Sequence, residues 1–273
     1  MSNEKPLIVG ASMGVEHVPL LRDWLFEKQR DLELYEFGQP AILDGDWRAH
    51  VEKAKAALDG FTGRLGIHGP DPASLAPWDP AVSAVVKRRY LQSLEACGAL
   101  GATHMVIHSP FRFLGNHYLP NTPTLDHDDW IERAHRTIDA EVLDKAASIN
   151  CVLQIENIWD PNPGLLLALV KSFDSDYVRM TVDIGHAFIA HQNGAPTPDW
   201  WIREAGEWLG HVHLQDTDGY ADRHWPPGQG QVDWFPVFNE LKKLRHHPRL
   251  ILEIASAAHI DVTRWFAEQG YAQ

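Results

Sequence analysis

The chain has 273 residues with 24 basic and 37 acidic side chains, a net charge of −13 with histidines neutral, and it is long enough for one eight-unit α/β barrel. So acidic a balance argues against broad attraction to nucleic acid or anionic lipid, and two cysteines, Cys97 and Cys151, without CxxC spacing give no sign of a disulfide framework or a structural zinc knuckle. The opening MSNEKPLIVGAS has no basic leader before a long apolar stretch, and the run Leu165 to Val170 is too short for a bilayer, so a cytoplasmic protein free of membrane is expected.

Short apolar or β-branched runs alternate with longer amphipathic stretches, the βαβα pattern of a parallel sheet. The first strand is predicted at Leu7 to Ala11 and the second at Leu32 to Glu36. In the second, period-two alternation puts Glu36 on the face of Leu32 and Leu34, and Glu33 on the face of Tyr35 and Phe37. Glu36, nearer the strand's C-terminal end, is the better placed to reach a barrel mouth, although a solvated or salt-bridged role is expected for both. The third strand, Leu65 to His68, leads through polar GPDPASLAPWDP into a helix over Ala81 to Leu100. The fourth, Thr103 to His108, leads through SPFRFLGNHYLPNTPTLDHDD into a helix over Trp130 to Ile149. Val152 to Glu156 is the fifth strand, and Val178 to Asp183 the sixth, followed by AFIAHQNGAPTPD as a loop. His211 to Leu214 precedes the loop QDTDGYADRHWPPGQGQ, and Leu250 to Glu253 closes the series. These long segments all leave a strand and enter a helix, so a barrel gathers them on one rim. Nothing interrupts the alternation, and residues 1–273 read as a single (β/α)8 TIM barrel domain.

Six strands end on or beside a potential metal ligand: His68, His108, Glu156, Asp183, His213 and Glu253. A carboxylate closing an apolar strand, as in LQIE, TVD and ILE, is costly to bury unless it is paired or coordinates a cation. Carboxylate oxygens mixed with imidazole nitrogens suit Mn2+, Co2+, Zn2+ or Mg2+. Four tryptophans in or near the rim, Trp78, Trp130, Trp159 and Trp225, can stack on a sugar ring, although loop packing is the ordinary role of any one of them. Gly228 and Gly230 are positioned to expose backbone N–H groups, but no phosphate-cradling motif follows the eighth strand. His104, His117, His127, His191, His246, His247 and His259 are expected to be surface or packing residues, and Trp200, Trp201 and Trp208 to pack or meet a second subunit.

The fragments LQIEN, VDIGHA, HVHLQDTDGYADRHWPPGQGQVDW and LILEI resemble the xylose-isomerase-like barrel superfamily, which includes sugar isomerases, ketose 3-epimerases, inosose dehydratases and endonuclease IV. The resemblance runs nearly the whole length. It implies that Glu156, Asp183, His213 and Glu253 ligate one divalent ion per chain, Mn2+ first, with Co2+, Mg2+ and Zn2+ as alternatives. It also implies that His68, His108, His186, Asp222, His224 and Trp225 face the substrate. The implied reaction is proton transfer next to a carbonyl, with Glu156 and Glu253 on opposite sides of the carbon, making an isomerase or epimerase for a sugar, keto-sugar or cyclitol. A carboxylate bound to a cation through both oxygens is a poor base, so each glutamate must keep one oxygen free. Loss of a neighbouring hydroxyl would instead give a lyase or dehydratase acting on a keto-sugar or glycoside.

The chain departs from ketose 3-epimerases at Asn162, where those enzymes usually place a second glutamate, and at Gly219, where they place an arginine. Both departures point away from a free ketohexose. No lysine falls at a strand's C-terminal end, which disfavours a Schiff-base aldolase. The rival reading is an endonuclease IV-like zinc nuclease for abasic DNA, whose three-zinc site these histidines and carboxylates also resemble. Against it, the rim loops offer little basic charge beyond Arg112 and Arg223. A non-catalytic sugar-binding barrel would be expected to lack at least one of the four core ligands, and all four are present. The expected partner is a small carbohydrate rather than nucleic acid, with a homo-oligomer left open.

Overall fold

The computed structural model describes residues 6–71, 73–111 and 127–273. Eight parallel strands close a barrel in chain order: β1 Val9–Met13, β2 Leu32–Leu34, β3 Leu65–His68, β4 His104–His108, β5 Val152–Glu156, β6 Val178–Asp183, β7 Leu209–Leu214 and β8 Arg249–Leu252. Among the described residues the helices are α1 Val18–Glu27, α2 Pro40–Leu43, α3 Trp47–Ala57, α4 Pro80–Leu100, α5 His127–Thr137, α6 Ala140–Ser148, α7 Pro163–Ser172, α8 Ile184–Gln192, α9 Pro198–Ala205, α10 Trp234–Lys243 and α11 His259–Glu268. The expected (β/α)8 TIM barrel is therefore present. None of the described helices is long and apolar enough to cross a membrane.

Local chemistry sets the helix ends. Asp79 accepts a hydrogen bond from Ala81 N, Pro80 opens α4, and Gly101 ends it at φ 74°, the N-terminal proline and C-terminal glycine arrangement. The helix predicted over Trp130 to Ile149 is two helices, because Asp139 turns the chain and caps α6 through Glu141 N and Val142 N. The segment after β6 is not a loop, since Asp183 accepts from His186 N and starts α8 at once. β1 lies two residues later than expected. β2 stops at Leu34, and Glu36 sits in a 3-10 turn with its carboxylate accepting from Val15 N.

Leucine, isoleucine and valine from strands and helices form one continuous core that includes Leu34, Ile67, Ile107, Ile155, Val182 and Leu252. The barrel axis is polar. Glu33, His104 and His211 are buried there, with Glu33 of β2 meeting His211 of β7 at 3.3 Å. Gly66 makes room, because a Cβ there would lie 2.1 Å from the His104 ring. At the N-terminal end of the barrel, buried Arg30 donates to the carbonyls of Trp24, Val9 and Gln273. Arg64 there grips Asp31 through two hydrogen bonds of 2.7 and 2.6 Å.

Candidate metal centre

The parallel register sets the ligand residues side by side at the opposite end. His108 of β4 is level with Glu156 of β5, and Asp183 of β6 with His213 of β7. Glu253 follows β8, its N–H held by Leu214 O. One donor atom from each of Glu156, Asp183, His213 and Glu253 falls within 4.8 Å of the others. His213 Nδ1 lies 2.8 Å from Glu156 Oε1 and 3.2 Å from Glu253 Oε2. Glu156 Oε2 and Asp183 Oδ2 are buried without a hydrogen-bond partner. Orphaned carboxylate oxygens buried in so tight a cluster are costly unless a cation completes them, so these residues fit a divalent ion.

The neighbouring residues hold this set rigid. Asn157, the last residue of LQIEN, donates to Asp183 O and accepts from Asp183 N, tying β5 to β6. Asp183 Oδ1 accepts from His186 N and from Gln215 Nε2, which leaves Oδ2 to point inward. Gly185 permits this, as a Cβ there would meet the Gln215 side chain at 2.3 Å.

Two further groups flank the core. His68 Nε2 and His108 Nε2 lie 3.3 Å apart and 3.7 and 3.6 Å from Glu156 Oε2. Across the mouth, His186 Nε2 and His224 Nε2 converge on Asp222 Oδ2 at 3.2 and 3.1 Å. In all four histidines Nδ1 is occupied. His68 donates to Gly69 O, His186 to Asn157 O and His224 to Glu253 O, while His108 Nδ1 meets Asp71 Oδ1 at 3.0 Å. A donor hydrogen fixed on Nδ1 leaves an Nε2 lone pair aimed at the cluster, the arrangement found behind metal-bound imidazoles. His224 is placed by a backbone at φ 49°, a left-handed conformation often kept at working sites.

Charge follows the same pattern. Burial pushes the His68 imidazole down, but the Glu156 carboxylate beside it and the charges of Glu33 and Glu253 raise it to about 9. Burial also opposes protonation of His224, which the Asp222 carboxylate nevertheless raises to about 9. Burial, with the charges of Glu156 and Glu253 behind it, lifts Asp183 to about 7. Burial disfavours the ionised Asp222, yet His186 and His224 hold it well below the usual range. Protons thus neutralise the cluster, and a bound cation would displace them.

The mouth opens into a cavity of about 440 Å³ whose wall includes Tyr35, His68, Asp71, His224 and Glu253. The Glu253 side chain is 19% exposed and that of Glu156 only 1%. Trp225 is not in that wall among the described residues; its main chain bridges Asp216 and Arg223 lies over its ring. Trp78 is exposed beneath Arg133. Gly228 N is not free, because it donates to Asp216, a buried carboxylate that also accepts from Thr217 N, Val232 N and Trp234 Nε1. Gly219 sits at φ 77°, and a Cβ there would lie 2.7 Å from Gln192 Cγ. Asn162 caps α7 through Leu165 N. His104 and His259 are buried, as packing roles require, and Trp201 is buried while Trp200 is exposed. Arg112, His117 and the side chain of His127 lie outside the described residues.

Sequence reasoning missed Glu33, Asn157 and Asp71. Glu33 is 0% exposed and sits 3.2 Å from His213 Nε2. Its signal was a carboxylate flanked by two leucines, LEL, the same form that marked Glu253 in ILE.

A family model described as xylose isomerase-like TIM barrel matches residues 26–270. An uncharacterized protein of Methanocaldococcus jannaschii, MJ1311, is 30% identical over 125 residues, 42% of this chain and 40% of that protein, so the match spans less than half of its length. Among solved structures, the TTHB071 protein from Thermus thermophilus, soaked with ZnCl2, is 25% identical with a TM-score of 0.69, covering 95% of this chain and 98% of the other. The 3-keto-D-glucoside 4-epimerase YcjR of E. coli shares the fold at a TM-score of 0.72 and 15% identity, over 96% and 99% of the two chains.

Proposed function

Because the chain belongs to the xylose isomerase-like TIM barrel family, we propose that it is a divalent-metal-dependent enzyme acting on a small carbohydrate, as a sugar isomerase or epimerase. The observation that carries this is the buried convergence of Glu156, Asp183, His213 and Glu253 beside an open cavity. A divalent cation held there supplies Lewis-acid polarisation of a substrate oxygen. Three carboxylates and one imidazole in the core group suit Mn2+, and two imidazoles with a carboxylate in each flanking group suit Zn2+.

The two glutamates differ in what they can do. Glu253 borders the cavity and is able to exchange a proton with a substrate carbon. Glu156 is turned inward, with Oε1 beside His213 and Oε2 beside His68 and His108. Glu156 is not in the cavity wall, so Glu253 is the one placed to reach a substrate and Glu156 the one placed as a ligand. This favours transfer by one carboxylate on one face of the substrate, an aldose–ketose interconversion, over transfer between two opposed carboxylates. Elimination from a keto-sugar or glycoside would use the same Glu253.

A second reading is favoured by the four histidines anchored through Nδ1. If both flanking groups also hold ions, Glu156 bridges two of them, and the site suits hydrolysis of a sugar-phosphate ester such as that of abasic DNA. The zinc soak of TTHB071 is in keeping with it. The deciding experiment combines elemental analysis of the purified protein with incubation of candidate keto- and aldo-sugars in D2O. One ion per chain with deuterium exchange lost in Glu253→Gln supports the isomerase. Three zincs, no exchange and cleavage of an abasic-site oligonucleotide would replace it with the hydrolase.

A further inference from the structure

The buried carboxylate on β2 takes no part in the chemistry above, and it lies behind the centre rather than in it. Glu33 is 0% exposed, and its ion-pair neighbours among the described residues are two imidazoles, His213 Nε2 at 3.2 Å and His211 Nε2 at 3.3 Å, with no lysine or arginine. An ionised carboxylate so placed is retained only if something offsets its desolvation.

His213 explains the placement. Its Nδ1 faces Glu156 Oε1 and Glu253 Oε2, so a cation in the core group must be met by the Nδ1 lone pair. The ring proton must then sit on Nε2, and Glu33 Oε1 and Oε2 wait there at 3.2 and 3.4 Å. Glu33 is level with Ser12 on β1 and Gly66 on β3, two small neighbours, the space over Gly66 being taken by the His104 ring.

The geometry points to Glu33 as a positioning residue that, with His213, forms a carboxylate–imidazole pair behind the metal, fixing the tautomer of His213 and strengthening Nδ1 as a ligand. The inference rests on the core group being a metal site. Carboxylates in such positions change metal affinity by about 10–100-fold.

The test is a Co2+ titration of the metal-stripped full chain against a chromophoric chelator, with the visible Co2+ spectrum, the 15N shifts of His213 and the denaturation midpoint of the metal-free form. Glu33→Gln is expected to weaken Co2+ binding by about 10-fold or more and to shift the Co2+ bands, with the metal-free midpoint little changed. Wild type that binds no Co2+ overturns the metal site itself and this inference with it. Wild type that binds, beside a Glu33→Gln protein of equal affinity and identical spectrum, overturns the role of Glu33 and leaves the site standing. Should Glu33→Gln not fold, Glu33→Asp decides, since it keeps the charge but withdraws it by one methylene. A loss of affinity there supports the inference, and wild-type affinity overturns it.

Discussion

The two ends of this barrel are built from similar charged groups to opposite purposes. At the N-terminal end Arg30 is taken up by three backbone carbonyls and Arg64 by a two-pronged grip on Asp31. At the C-terminal end Glu156 Oε2 and Asp183 Oδ2 are left without partners, and four imidazoles aim Nε2 at one another's neighbours. Saturated polar groups stabilise the closed barrel, whereas unsaturated ones are held open for something the chain does not supply. The difference teaches where to look for function in a barrel with polar residues at both ends.

The sharpest way to break the comparison is Glu156→Gln. It is expected to lower turnover by on the order of 10³, since it removes a core ligand. The metal-free fold should be unchanged or more stable, because a buried carboxylate is lost beside Asp183 and Glu253; a denaturation curve of the stripped protein checks this. Arg30→Met should do the reverse. It withdraws a donor from the Trp24 and Val9 carbonyls, while Gln273 O keeps Val9 N, at a cost of roughly 2 kcal/mol by urea titration, and bound metal per folded chain should stay constant.

Smaller changes sharpen the division within the mouth itself. Asp222→Asn is expected to cost about 10-fold in activity. Elemental analysis then separates the two readings: an unchanged ion count fits a substrate-facing group, and a count lower by one fits a flanking metal site. A further effect expected is one of pH. Burial raises Asp160 from an ordinary 3.8 to about 7, against the opposing hydrogen bonds from Ser109 and Ile158 N. The folded state therefore binds a proton that the unfolded chain releases, so stability should fall as pH rises from about 4 to 7 and level off above. Asp160→Asn should flatten that slope; an identical slope in the variant would show that other groups set it.

Much of this was legible because strand ends and ligands coincide. In β3, β4, β5, β6 and β7 an apolar run closes on or next to His68, His108, Glu156, Asp183 or His213, and the parallel register does the rest. What escaped notice depends on how far a strand or helix runs. β2 has three residues, and extending it to Glu36 drew attention to the wrong glutamate, although LEL already put Glu33 opposite two outward leucines. α8 was read as loop because its glycine and two histidines weaken the helical pattern, while its start is fixed by the Asp183 carboxylate, a contact no periodicity reveals. Asp71 pairs with His108 from a loop, and Asp216 gathers four donors from positions 217 to 234. Such contacts span folds of chain that only the closed barrel brings together.

Gly219 carries a consequence for substitution at the rim. Gly219 is held at φ 77°, with its N–H on Thr217 Oγ1 and the Gln192 side chain lying where a Cβ would go. A side chain there would have to displace Gln192 and hold a left-handed backbone, so Gly219→Arg is expected to shift this turn at the rim of the mouth.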